Sequence, residues 1–369
     1  MNKKVRHVLG ISGGKDSAAL AIYMKDNYPR LDIEYYTTDT GKELDETYQL
    51  IDNLEIYLGK EIIRLEAANK SHQDPFDHYF EIFGRYLPRS DERWCTRTLK
   101  LEPFEAFVGD DLVVSYVGIR GDEDREGYIS KKDNIQSIFP FRQNIWSKDV
   151  IRTVFAEVNK ALVKEYYTEY STNQNISRIL EILDKKTNDF FSIEDKAKLL
   201  LDIDTVLFNH VVHRFLQLTE RPLSQESDFP LISNTDILVK DDIFRILRES
   251  GVGVPAYYEP IPFEIDGIRS TYSRSRSGCY FCFFQQKIEW VWLLEQHPDR
   301  FAKAVAYEQE GCTWMDEKLT DLAKPERVAE IKREYLKRKE RQKKNEKINS
   351  KFLRDTLFEE SEGCIACFV

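Results

Sequence analysis

In the first third of the chain, apolar residues come in short runs that each end at a polar turn. Val5 to Ile11 is one such run; it stops at Ser12-Gly-Gly-Lys-Asp-Ser17, and the residues from Ala18 onward are apolar at helical spacing. The pattern predicts strand, turn, helix. Ile33 to Thr38 repeats it, ending in the turn Thr38-Asp-Thr-Gly-Lys-Glu43 before a helix-like stretch from Leu44 to Gly59, and the runs EIIRLEAA and LVVSYVGIR supply two further strands. Strands that alternate with helices imply an α/β fold: a doubly wound, mostly parallel sheet covered on both faces, with ligands beyond the carboxyl ends of the strands. The polar motifs all fall just after strand candidates.

From about Val150 to Asp228 the pattern changes to Lys, Glu, Asn and Leu with no glycine, which predicts a helical insertion. A short echo flanks it: Pro140 to Asn144 followed by Lys148-Asp149, and Pro230 to Asn234 followed by Lys240-Asp241. One reading is coincidence; the other is an insertion that interrupts a single functional loop and helix. The chain then divides into residues 1–149, the insertion at 150–228, a continuation of the first domain with a cysteine site at 229–320, and a tail at 321–369. The tail opens on the helix-starting Pro325 and holds 13 basic and five acidic residues between Lys324 and Arg354, the composition of a long exposed helix. Such a face is either solvated, docked on a partner, or in contact with phosphates.

Composition narrows the class. The chain has 369 residues, a net charge of -10 and 41% hydrophobic residues, enough for a substantial core and for one large or two ordinary domains. No run approaches the roughly 18 apolar residues of a membrane helix, and the basic, then apolar, start flows straight into a glycine turn without a cleavage site. We expect a cytoplasmic protein with no membrane partner. Its six cysteines are then reduced thiols suited to metal, iron-sulfur or redox chemistry, not a disulfide framework.

The turn after the first strand carries the clearest chemistry. Successive backbone N–H groups there can enclose phosphate oxygens, and the following helix start favours negative charge. Gly13 and Gly14 permit close approach of the main chain, Lys15 neutralises phosphate charge, and the Ser12 and Ser17 hydroxyls donate. The spacing is not that of the Walker loop, so transfer of a terminal phosphoryl group is not implied.

SGGKDS resembles the pyrophosphate (PP) loop of the adenine-nucleotide α-hydrolase superfamily. With TDTGKE at Thr38 to Glu43, RWCTRTLKLEP at Arg93 to Pro103, VGIRGDEDRE at Val117 to Glu126 and SGCYFCFFQ at Ser277 to Gln285, the chain is similar to its phosphoadenosine phosphosulfate (PAPS) reductase-like branch. Within that branch the strings RWCT-R-LK and GIR-x-x-E-x-x-R look most like the sulfur-transfer proteins of DNA phosphorothioation. The resemblance spans residues 5 to about 315, apart from the insertion.

The resemblance implies an ATP pyrophosphatase that adenylates a DNA backbone phosphate, receives sulfur from a cysteine desulfurase and works with other phosphorothioation-system proteins. It implies ATP held by Ser12, Gly13, Gly14, Lys15, Asp16 and Ser17, with Asp39 and Thr40 close to the nucleotide or its Mg²⁺. Lys15, Asp16, Arg97, Lys100 and Arg120 become the catalytic candidates, with Arg125 as a further cation beside them. Two alternatives stand beside this: a thiol-dependent PAPS or adenylylsulfate reductase that releases sulfite, and a nucleotide-sensing subunit of a defence complex without turnover.

Cys279-x-x-Cys282 can supply two ligands, and a metal needs others from elsewhere. Cys95 and Cys312 stand at motif-like places, so these four match the pattern by which relatives hold a [4Fe-4S] cluster, although Trp94-Cys95 replaces the usual Cys-Cys pair. Zn²⁺ or a plain dithiol are the other readings. The closing EGCIACFV holds Cys364 and Cys367, without the Gly and His of the assimilatory reductase tail. That pair suits a sulfur relay, a completed metal site or a buried end. His210 and His213, at i and i+3, are read as ordinary polar helix residues, and Trp290 and Trp292 with Tyr272, Phe281, Phe283 and Phe284 as core around the cysteine loop.

Overall fold

The computed structural model describes residues 4–123, 125, 130, 132–171 and 175–348, with side chains to 342. Its centre is a five-stranded, wholly parallel sheet built from β1 (Arg6–Gly10), β2 (Ile33–Thr38), β3 (Ile62–Leu65), β4 (Val113–Tyr116) and β5 (Ile135–Ile138), in the order β3-β2-β1-β4-β5. The first four are the strands that the apolar runs predict. The sequence reading missed β5, because IQSI is short and alternates Gln and Ser with Ile, yet all four residues are buried. The α/β expectation holds.

Helices α1 (Lys15–Asn27), α2 (Asp45–Leu58), α3 (Pro75–Ile82), α4 (Trp94–Thr96) and α5 (Glu102–Val108) connect the strands, and a π-helical turn at Arg97–Leu101 joins the last two. Ten consecutive residues of α1, from Lys15 to Met24, are buried. A helix covered on all sides shows little amphipathic pattern, which is why its spacing is subdued.

The insertion is helical as expected: α6 (Lys148–Val154), α7 (Lys160–Tyr170), α8 (Ile176–Asp184), α9 (Ile193–Ile203) and α10 (Thr205–Leu216). It is not an appendage, since its apolar residues share one core cluster with α1, α2 and the sheet. The echoing segments that flank it lie side by side. Asn234 donates to the Pro140 carbonyl at 2.7 Å and Leu238 N–H to the Phe141 carbonyl at 3.0 Å, and helices start at both Lys148 and Lys240, the latter opening α11 (Lys240–Glu249). Deep in the sheet, His7 of β1 is bonded to Tyr116 of β4 at 2.8 Å and to Glu226 at 2.7 Å, a further tie between sheet and insertion.

Beyond α11 comes a hairpin, β6 (Ile261–Ile265) and β7 (Ile268–Tyr272), that the sequence reading also missed. Its signal was present: Asp266-Gly267 takes positive φ at both positions (50° and 76°), the dipeptide suited to a two-residue turn. Helices α12 (Lys287–Gln296), α13 (Pro298–Tyr307), α14 (Leu319–Leu322) and α15 (Pro325–Ile348) complete the described chain. A second core forms here. Phe76, Phe80, Leu87, Trp94 and Leu99 from the first third pack with Phe281, Trp290, Trp292 and Trp314, through centroid contacts such as Phe76 to Phe281 at 4.6 Å and Phe281 to Trp314 at 4.7 Å. Among the described residues no helix is long and apolar enough to cross a membrane.

The basic helix docks on its own body. Ile331 is buried, Val328, Tyr335 and Leu336 pack beside it, and cations to either side meet acidic residues: Arg327 with Glu317, Lys332 with Glu295, Arg333 with Asp266. Hydrogen bonds from Arg327, then from Lys287, hold the Glu317 carboxyl down at about 2. A depressed carboxylate stabilises above its ordinary value of 4.5, and that contribution disappears as pH falls toward about 2. Amide protection in α15, taken relative to intrinsic exchange at each pH, is therefore expected to fall over that window before the sheet responds. Glu317→Gln should mimic the effect at neutral pH, with a cost of about 1 kcal/mol for a pair that is partly solvated.

Candidate active site

β1 is the point at which strand order reverses, with β2 on one side and β4 on the other, so a crevice opens beyond their carboxyl ends. The turn Ser12–Gly14 sits there. Gly13 has φ of 70°, and a Cβ on it would stand 2.2 Å from Thr47 Cγ2; one on Gly14 would stand 2.6 Å from Ser277 Oγ. Gly13 is closed to a side chain by its backbone conformation as well as by Thr47, whereas at Gly14 the Ser277 hydroxyl would have to move aside. Ser12 N–H donates to Ser17 Oγ at 3.2 Å, and the Ser17 hydroxyl reaches the Gly14 carbonyl at 3.2 Å, which curls the turn around the start of α1. Gly14 caps that helix with no side chain closing the end. Tyr257 donates to the Gly13 carbonyl at 3.0 Å, and Lys15 N–H faces the Tyr258 hydroxyl at 3.4 Å, so residues far along the chain fix the turn from the other side.

Charge is concentrated behind the turn. Lys15, Asp16 and Arg120 are all buried. One Asp16 oxygen lies 3.2 Å from Lys15 Nζ and the other accepts from Arg120 at 2.9 Å, so a single carboxylate holds two cations in place. Arg120 also meets Asp122 at 2.9 Å and Glu123 at 3.0 Å, and Glu123 accepts from Arg125 at 3.0 Å. Burial raises the Glu123 carboxyl, against the pull of Arg125 and Arg120. Gly118 explains how β4 comes so close: a Cβ there would lie 2.9 Å from the Asp16 carbonyl oxygen.

A second polar group surrounds the turn after β2. Asp39 is half-buried and accepts from Gly41 N–H at 2.7 Å and from Tyr48 at 2.9 Å. The Thr40 hydroxyl donates to Glu43 at 2.8 Å and stands 3.2 Å from Cys279 Sγ. Thr40 is thus committed to a buried carboxylate, while Asp39 is the acidic side chain the motif offers to a nucleotide-bound cation. Burial first, then Asp39, pushes the Glu43 carboxyl up, and Lys100 pulls it down; burial and then Glu43 push the Cys279 thiol well up. The π turn, a distortion frequent at functional sites, is what carries Lys100 to this group.

Other sequence candidates lie elsewhere. The Arg97 side chain is 80% exposed and pairs with Glu102 at 3.1 Å, outside the buried group of Lys15, Asp16 and Arg120. Cys95, Cys279, Cys282 and Cys312 are free thiols, each partly buried, but among the described residues no three His, Cys, Asp or Glu side chains are arranged to hold a metal. Thr40 and Glu43 flank Cys279, and Cys95, Cys279 and Cys312 all pack against the second core. Cys364 and Cys367 lie outside the described residues. His213 is buried and His210 exposed, with neither in a metal-holding group. Trp290, Trp292, Tyr272 and Phe281 are core as read, whereas Phe283 and Phe284 line a cavity of about 790 Å³ beside α15.

Sequence reasoning missed Glu43, Glu123, Tyr258 and Arg274 as members of the site. The first two stood inside the quoted motifs. The others come from segments without a recognisable spacing and reach the turn only through tertiary packing.

The sheet order, the glycine turn at the strand reversal and the buried cations behind it define an α/β domain of PP-loop-like build. Residues 6–145 match the family model of the phosphoadenosine phosphosulfate reductase domain. The chain is also similar to two uncharacterized proteins of Methanocaldococcus jannaschii. One is 32% identical over 154 residues, covering 38% of this chain and 30% of the relative; the other is 24% identical over 208 residues, covering 52% and 48%. The chain thus spans between about a third and a half of the length of these relatives. No solved structure matches.

Proposed function

We propose that the protein is an ATP pyrophosphatase that adenylates a phosphate oxygen of DNA in preparation for sulfur insertion. The observation that carries the reading is the Lys15–Asp16–Arg120 network, buried directly behind a turn whose Gly13 takes a positive φ against Thr47. Such a turn holds phosphates by main-chain N–H groups, and two prepositioned cations stabilise charge that develops during transfer. In the reaction the acceptor oxygen bonds to the α-phosphorus of ATP, the α–β anhydride bond breaks, and pyrophosphate leaves with the electron pair. The adenylated oxygen is then a good leaving group for a sulfur nucleophile delivered by a cysteine desulfurase partner, within a set of phosphorothioation proteins. Ser12, Gly13, Gly14 and Ser17 line the phosphates in this reading, and Asp39 approaches the accompanying Mg²⁺.

The similarity of residues 6–145 to a PAPS reductase domain favours a second reading, cleavage of a sulfonucleotide by a thiol. The products separate the two. Protein purified without oxygen should release pyrophosphate from ATP and Mg²⁺ when DNA is added, and Lys15→Ala should lower that rate by about 10²- to 10³-fold. Sulfite released from PAPS, with no pyrophosphate from ATP, would overturn the proposal in favour of the reductase.

A further inference from the structure

Beside the glycine turn lies a separate cavity of about 350 Å³. Lys15 forms part of its wall, Arg274 another part, and Lys240 and Arg248 of α11 also line it. Arg274 is only 2% exposed, yet of its guanidinium nitrogens Nη2 alone has an acceptor, the Cys279 carbonyl at 3.2 Å; Nε and Nη1 have none. Its charge lies 5.7 Å from the Tyr257 ring and 5.9 Å from the Trp292 ring, contacts that fix the group in place without using its N–H donors. A buried donor without a partner is costly, and Nε and Nη1, on different sides of the guanidinium, can each donate singly to an anion oxygen.

Of the nearby carboxylates, Glu46 feels the Arg274 charge but pairs with His297 at 3.4 Å, and among the described residues none forms an ion pair with Arg274. Glu289 spends one oxygen on the Ser275 amide and hydroxyl, at 2.7 and 2.8 Å, and the other on the Gln286 amide at 2.9 Å. Glu259 is exposed. Four cations therefore line a cavity that contains two carboxylates, in a chain whose net charge is -10.

We propose that this cavity is a second oxyanion site, which receives a phosphate or sulfate group of the acceptor substrate while the nucleotide occupies the glycine turn. The assignment of the anion to the acceptor rests on the adenylation reading; the existence of the site rests on Arg274 and its cavity. Lys15 belongs to both places, since it pairs with Asp16 at 3.2 Å and donates to the Ser275 carbonyl at 3.4 Å, so the two anions would meet across one ammonium group.

The test is calorimetric titration of the full chain with inorganic sulfate, with and without a saturating non-hydrolysable ATP analogue. One sulfate should bind per chain with the analogue present. Arg274→Gln, and separately the double variant Lys240→Gln/Arg248→Gln, should weaken sulfate at least about tenfold, the loss expected from charge-assisted hydrogen bonds, and the double variant should preserve analogue affinity within about twofold. The double variant changes only cavity-lining side chains of α11, so it remains informative if Arg274→Gln does not fold. Sulfate that competes one for one with the analogue, or that binds a normally melting double variant unchanged, would overturn the site. A dinucleotide in place of sulfate identifies the source: tighter binding assigns the anion to a polynucleotide phosphodiester, weaker binding to a small oxyanion, and either result retains the site. If the analogue never binds, the adenylation reading fails while the sulfate comparison still decides the cavity.

Discussion

Arg120→Met is expected to lower stability by about 3–5 kcal/mol, the range for removing one partner from a buried ion network. Arg120 answers Asp16, Asp122 and Glu123 at once, and the Asp16 and Glu123 side chains are 8% and 4% exposed. Without the guanidinium, two carboxylates stay buried with Lys15 and Arg125 alone to balance them. The defect carries a pH signature. Burial already raises Glu123 in the wild type, so its contribution is complete below the ordinary carboxylate value and declines as pH rises through the elevated one. Removing Arg120 raises that value further and moves the decline to higher pH, so the variant should regain part of its deficit on acidification. Urea midpoints at several pH values read this directly. Arg120→Lys should fall between the two, because an ammonium cannot span three carboxylates. A variant as stable as wild type at neutral pH would show that the network is not what holds the turn.

Gly13→Ala is the second large effect. The new methyl would need to occupy space 2.2 Å from Thr47 Cγ2, on a backbone whose φ of 70° already disfavours any side chain. The backbone strain alone costs of order 1–3 kcal/mol, and the contact forces either α2 or the turn to shift. Loss of ATP affinity should exceed loss of stability, since the turn is the more yielding element. Adding Thr47→Ser removes the clashing methyl but not the strain, so the double variant should recover part of the affinity. Full ATP affinity in Gly13→Ala would sink the idea that phosphates lie against this turn.

These effects show where sequence was informative. Four of the five strands, the phosphate turn and the helical insertion were legible, because each rests on local periodicity or on a glycine spacing with a mechanical cause. The ion network was half legible: Lys15, Asp16 and Arg120 are motif residues, but their burial and mutual pairing come from the approach of β4 to α1. The surroundings of the cysteines were not legible. Spacing named the thiols, but that Cys279 stands against Thr40 and Glu43 comes from tertiary packing. Arg97 stands at the surface paired with Glu102, which the motif string did not reveal. Arg274 stands in the basic string Ser273 to Arg276, but its place in the cavity depends on the rings of Tyr257 and Trp292.

The second aromatic core has a consequence for how the chain is made. Phe76, Phe80 and Trp94 find Phe281, Tyr307 and Trp314 only after roughly two hundred more residues have been synthesised. At about 5–20 residues per second that is a wait of roughly 10–40 s on the ribosome. For that interval the aromatic rings of α3 and α4 lack the partners that bury them in the finished fold, apolar surface open to non-native contacts.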